Sequence, residues 1–177
     1  MGKTKVGKLE STAKHMLSQY PILKEMPASL SGNFHIGETA MQHYENTAII
    51  MRHLCDEFKI NDQDRDMLIA CAYLHDIGFA LITQKGKVDK PGWYYHEKTG
   101  YSRLGSFARV HPYLSASMIE DSYIGRKQEI KRIISVHMSS WYSMTPKPKC
   151  RYEDMMCIAD YLASRDVRKY KEDKDEN

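Results

Sequence analysis

Four of the eight histidines in the chain interrupt an apolar helical face or its end: His43, His75, His111 and His137. Helical spacing puts His43 on the same face as Thr47, Ile50, Met51 and Leu54. His75 follows Leu68 and Cys71 on an inward face, and Asp76 comes directly after it. His137 follows Ile133 and Ile134, and Asp160 lies among Ile158, Ala159 and Leu162. A single buried histidine ordinarily just finds a hydrogen-bond partner. Carboxylates in a core make a stronger demand, because each costs several kcal/mol unless a cation answers it. Four imidazoles and two carboxylates directed inward make a site for two divalent metals. Nitrogen and oxygen ligands without a thiolate favour Mn, Fe, Co, Zn or Mg over copper or iron–sulfur chemistry. His15, His35 and His53 have no partner at such spacing and read as surface or structural residues.

In chain order these residues stand as His43, His75-Asp76 in LHDIG, His111 in VHPYLSA, His137 in ISVHMSS and Asp160 in CIADYLASR. The ordered set resembles the HD superfamily of metal phosphohydrolases, specifically its binuclear H…HD…H…H…D branch with an HDIG core. The resemblance spans Met41 to Arg165. It implies that Asp76 bridges two metals, that His43, His75 and Asp160 complete one site, and that His111 and His137 complete the other. It makes Asp76, His111 and Arg165 the catalytic candidates. Two metals about 3.5–4 Å apart would share a hydroxide able to attack phosphorus at neutral pH. The implied reaction is hydrolysis of a phosphate ester or anhydride, with no covalent intermediate.

The compact layout and the ADxxxxR ending are most similar to bacterial hydrolases of dinucleoside polyphosphates. Arg165 could hold a non-bridging phosphate oxygen, or it could be a surface helix charge. Two departures narrow the class. Many HDIG proteins carry Lys after the glycine, where this chain has Phe79, and Met138 follows His137 with no GYP signature. The second departure argues against a cyclic di-GMP phosphodiesterase.

Between the HD motif and the third histidine lies a long insertion. Residues 83–103 hold Lys85, Lys87, Lys90, Trp93, Tyr94, Tyr95, His96, Lys98, Tyr101 and Arg103. Cations such as Lys85, Lys87 and Lys98 suit phosphates, and Trp93 suits stacking on a base, the two contacts a nucleotide needs. An ordinary solvated loop anchored by Trp93 fits the same residues. Trp141 and Tyr142 line the pocket or merely pack.

The elements that must position these side chains are helices. Periodicity predicts helices over 10–20, 39–59 with Thr39 as N-cap, and from Asn61 or Asp62 to near Gly78. Pro112 reads as the first turn of a helix running to about Ser122, and two more follow over 126–139 and 152–167. No alternation long enough for a sheet is present, so the class is all-α: a single helical bundle with a long loop insertion. Residues 1–38 form a lead, short helix and loop, 39–167 the main domain, and 168–177 a charged tail.

The 177 residues, 42% of them apolar, suffice for one domain with a real core. No apolar stretch approaches the roughly 20 residues of a membrane span. A net charge of +3 is too balanced to imply a nucleic-acid partner. Cys55, Cys71, Cys150 and Cys157 lack CxxC spacing and read as reduced thiols. The N-terminus carries no secretory pattern, so the expected location is the cytoplasm and the expected partner a small phosphorylated molecule, a nucleotide in kind; a homo-oligomer is left open. Two other functions fit the ligand set: a mixed-valent di-iron oxygenase, as in some relatives of this superfamily, and a nucleotide sensor without turnover.

Overall fold

The computed structural model describes residues 7–28, 37–81, 93–96, 100–119, 126–140 and 147–165. Among them are the helices α1 (Lys8–Ser18), α2 (Ala40–Glu57) and α3 (Asp62–Leu74), the strands β1 (Trp93–His96) and β2 (Gly100–Arg103), and the helices α4 (Leu104–Ser117), α5 (Lys127–Val136) and α6 (Arg151–Ala163). No helix among the described residues is long and apolar enough to cross a membrane.

The architecture is a helical bundle organised around α3. Every residue from Met67 to Leu74 is buried, and a helix apolar all round must be surrounded. It packs against α1, α2, α5 and α6. Its start is set by Asn61, whose side chain accepts a hydrogen bond from the Asp64 backbone. The start of α2 is a full capping box, in which Thr39 Oγ1 accepts from Gln42 N and Gln42 Oε1 accepts from Thr39 N. A bridge between Pro27 and Thr39 ties the preceding loop to this helix start. The amphipathic α5 buries Ile130, Ile133, Ile134 and Val136.

The N-cap of α1 is a glycine, so the cap comes from elsewhere. Asp66 on α3 accepts hydrogen bonds from the backbone of Leu9 and Glu10, both at 2.9 Å. A Cβ on Gly7 would lie 1.9 Å from an Asp66 oxygen.

Three boundaries differ from expectation. The insertion holds an antiparallel hairpin, with Trp93 opposite Arg103 and Tyr95 opposite Tyr101. Its run of aromatic residues favours a strand but is too short to show a period. Helix α4 begins at Leu104 and ends at Ser117, so Pro112 lies inside it rather than at its first turn. An interior proline withholds the N–H that the Ala108 carbonyl would otherwise take, and packing of α4 on α5 and on the 3-10 turn Ile77–Leu81 offsets that loss. Finally, α3 stops at Leu74, and the chain turns through His75 and Asp76 into that 3-10 turn. The turn lets two adjacent residues face different neighbours.

Candidate metal centre

Each half of the site draws on distant parts of the chain. His43 comes from the first third of α2, His75 caps α3, and Asp160 projects from α6. Their reactive atoms converge: His43 Nε2 lies 3.1 Å from His75 Nε2 and 3.2 Å from Asp160 Oδ1, and His75 Nε2 is 3.5 Å from that oxygen. Asp76, His111 from α4, and His137 at the end of α5 form a second group. Here His111 Nε2 and His137 Nε2 are 2.9 Å apart, and they lie 3.0 and 3.2 Å from Asp76 Oδ1. All six side chains are buried.

The two groups meet at Asp76. Its Oδ1 faces His111 and His137, while its Oδ2 lies 3.4 Å from His75 Nε2. One carboxylate thus turns an oxygen toward each cluster.

Proton placement decides what these atoms can do. His75 Nδ1 is 2.8 Å from the Ala72 carbonyl and His137 Nδ1 is 2.7 Å from the Ile134 carbonyl. A carbonyl only accepts, so both Nδ1 atoms carry protons and a neutral ring presents its Nε2 lone pair to the centre. With no proton on Nε2, the lone pairs confront carboxylate oxygens at 3.2–3.5 Å, a repulsion that either a proton or a metal cation among them relieves. Asp76 Oδ1 is buried without a hydrogen bond of acceptable geometry. The donor set of four imidazole nitrogens and two carboxylates therefore fits two divalent metals.

The charges of the residues themselves respond to this crowding. Burial opposes a charge on His75, but Asp76 and Asp160 outweigh it and raise its pKa to about 9. Burial also opposes ionisation of Asp160 and Asp76, yet the surrounding imidazoles hold both carboxyls well below the usual carboxylate range. His137 is pushed down, chiefly by burial, with Asp76 working against it.

Neighbouring groups fix the frame. Tyr44 donates to the Asp76 carbonyl at 2.8 Å, and burial followed by the Asp76 charge keeps its phenol protonated. Gly78 N donates to Ser115 Oγ at 3.0 Å. A Cβ there would lie 2.8 Å from Ser115 N and 3.1 Å from the His111 carbonyl, so the glycine lets α4 approach closely enough to deliver His111.

A family model for the HD domain matches residues 41–165, more than two thirds of the chain. The chain belongs to the HD domain family. No curated protein and no solved structure matches it. The HD domain places the chain in a superfamily of metal-dependent phosphohydrolases, and its two His/Asp clusters are groups that could hold metal ions.

Arg165, just beyond the end of α6, is exposed, with its guanidinium 3.0 Å from Tyr161 Oη and stacked on the Tyr161 ring. Trp93 is the first residue of β1, and Lys85, Lys87, Lys98 and Trp141 lie outside the described residues. Phe79 is buried and meets the His111 ring edge-on at 5.4 Å between centroids. Of the residues that frame the HD domain's clusters, Tyr44 and Ser115 were not singled out by sequence, because each acts through a contact between distant segments.

Proposed function

We propose that this HD domain hydrolyses a phosphate ester or anhydride of a nucleotide, dinucleoside polyphosphates among them. The observation that carries the reading is Asp76, placed between two His/Asp clusters with one oxygen toward each. In this reading His43, His75 and Asp160 hold one metal, His111 and His137 the other, and Asp76 both. Two such metals supply a Lewis acid for the phosphoryl oxygens and lower the pKa of a bound water. The protein's share is orientation. The Ala72 and Ile134 carbonyls hold Nδ1–H of His75 and His137, so both rings keep one tautomer and one direction throughout the reaction. Burial of all six side chains keeps bulk water from competing for the ligands. Arg165 is the proposed phosphate contact, exchanging Tyr161 for a non-bridging oxygen in a bidentate grip. The nucleotide preference rests on the lysines and aromatic residues at 85–103 and on Trp141.

The test is a chromatographic panel: purified protein with Mn²⁺ and mononucleotides, cyclic nucleotides, dinucleoside polyphosphates and cyclic dinucleotides. Metal-dependent turnover of one class is expected, and Asp76→Ala should abolish it. Full activity in that variant, or oxygen uptake by an iron-loaded protein that cleaves none of the panel, would sink the reading.

A further inference from the structure

The outward nitrogens of His75, His137 and His43 each face an acceptor. For His75 and His137 it is a backbone carbonyl within the same helical turn, at 2.8 and 2.7 Å. For His43 it is a carboxylate: Glu38 Oε2 lies 4.0 Å from His43 Nδ1. Glu38 sits just before the capping box of α2 and is only 5% exposed. Its backbone is pinned, because its carbonyl accepts from Ala28 N at 2.9 Å. Its other carboxylate oxygen takes a hydrogen bond from Asn46 Nδ2 at 2.5 Å.

An acid before a helix N-terminus is favourable on the surface, where water and the helix dipole both support it. Burial removes the water and makes an anion costly unless a donor or cation answers it. A metal on His43 Nε2 requires the proton to sit on Nδ1, directed at Glu38. Closing the gap by about 1 Å gives a charge-assisted hydrogen bond of ordinary length.

We propose that Glu38 is a positioning residue for the metal ligand His43, holding its Nδ1 protonated and its Nε2 turned to the metal. The inference rests on the reading that the clusters hold metals. The carboxylate would do for His43 what the Ala72 and Ile134 carbonyls do for the other two rings. It also adds negative charge behind the cluster of His43, His75 and Asp160 only, making that ligand more basic.

The experiment is titration of chelator-stripped full-length protein with Zn²⁺, following both heat and the imidazole resonances of ¹⁵N-histidine-labelled protein. The His43 signal is assigned by its loss in His43→Ala. Wild type should bind two Zn²⁺ and show a downfield, slowly exchanging His43 Nδ1–H. Glu38→Gln keeps the shape and the Asn46 contact; it should weaken one of the two metals about 10- to 100-fold, leave the other unchanged, and move the His43 proton upfield. Two equal affinities and an unmoved His43 proton in Glu38→Gln overturn the positioning role while the metal-centre reading stands. Wild type that binds no Zn²⁺ overturns both. Should Glu38→Gln fail to fold, the wild-type spectrum decides: a Zn²⁺-loaded protein whose His43 Nδ1–H exchanges as fast as an exposed imidazole refutes the proposal.

Discussion

Gly78→Ala tests whether one close approach sets the geometry of the second cluster. The added Cβ would stand 2.8 Å from Ser115 N and 2.9 Å from Ser115 Oγ, and ordinary contact begins at 3.4 Å, so α4 must retreat by about 0.6 Å. The nearer atom is backbone, which rules out relief by a rotamer change. Overpacking of this kind costs about 1–3 kcal/mol, and stretching the Gly78–Ser115 hydrogen bond adds about 1 kcal/mol. For a chain of this length that corresponds to a melting temperature lower by roughly 4–16 °C. The functional effect should be more selective. Metal–ligand distances tolerate only about 0.2 Å, and the retreat carries His111 away from Asp76 while leaving His43, His75 and Asp160 on α2, α3 and α6. Calorimetric titration should find one metal near wild-type affinity and the other weakened, with differential scanning calorimetry giving the stability loss. A variant that binds both metals as wild type does and melts at the same temperature would refute the argument, since α4 would then absorb a methyl group without consequence.

Two further perturbations probe how the elements are fastened. Asp66→Ala removes the acceptor for two backbone donors of α1 and should cost about 1–2 kcal/mol; hydrogen exchange should show α1 opening ahead of the remaining helices, and uniform protection would contradict the remote cap. Tyr152→Phe removes the donor to Asp64 Oδ2 at 2.6 Å, in a group where Arg126 also holds Asp64, and should cost about 1 kcal/mol at pH 7. Tyr152 first, and Arg126 with it, lower the Asp64 pKa, so this stabilisation is present above the ordinary carboxylate range and is lost as pH falls through it. The gap in melting temperature between wild type and Tyr152→Phe should therefore narrow below pH 4; a gap constant from pH 7 to pH 3 would count against the assignment.

Much of the helical frame was readable from periodicity because α2, α3, α5 and α6 each bury a face whose spacing survives in the chain. Thr39 and Asn61 announce their helix starts through local capping chemistry, which needs only a few neighbouring residues. The convergence of His43, His75, Asp76, His111, His137 and Asp160 is signalled by polar residues in positions that otherwise belong to the core. What escaped is tertiary. Asp66 caps a helix more than fifty residues away, and Tyr44 reaches the carbonyl of Asp76 across two helices; neither leaves a local pattern. Glu38 stands beside a strong N-cap signal and is hidden by it. For α4, Gly105 and Pro112 both argue against a helix interior, and the packing that overrides them is invisible in the residues themselves.

The distances along the chain between ligands bear on the order in which the molecule assembles. His43 and Asp160 are 117 residues apart, so their cluster closes only when α6 has returned to α2. Asp76 and His137 enclose about half as much chain, and halving a loop lowers its closure entropy by about 0.6 kcal/mol. That difference favours closing the cluster of Asp76, His111 and His137 before α2 meets α6. A metal bound early at Asp76 would then act as a nucleus, bringing the turn after α3 together with the ends of α4 and α5 before the termini of the domain are joined.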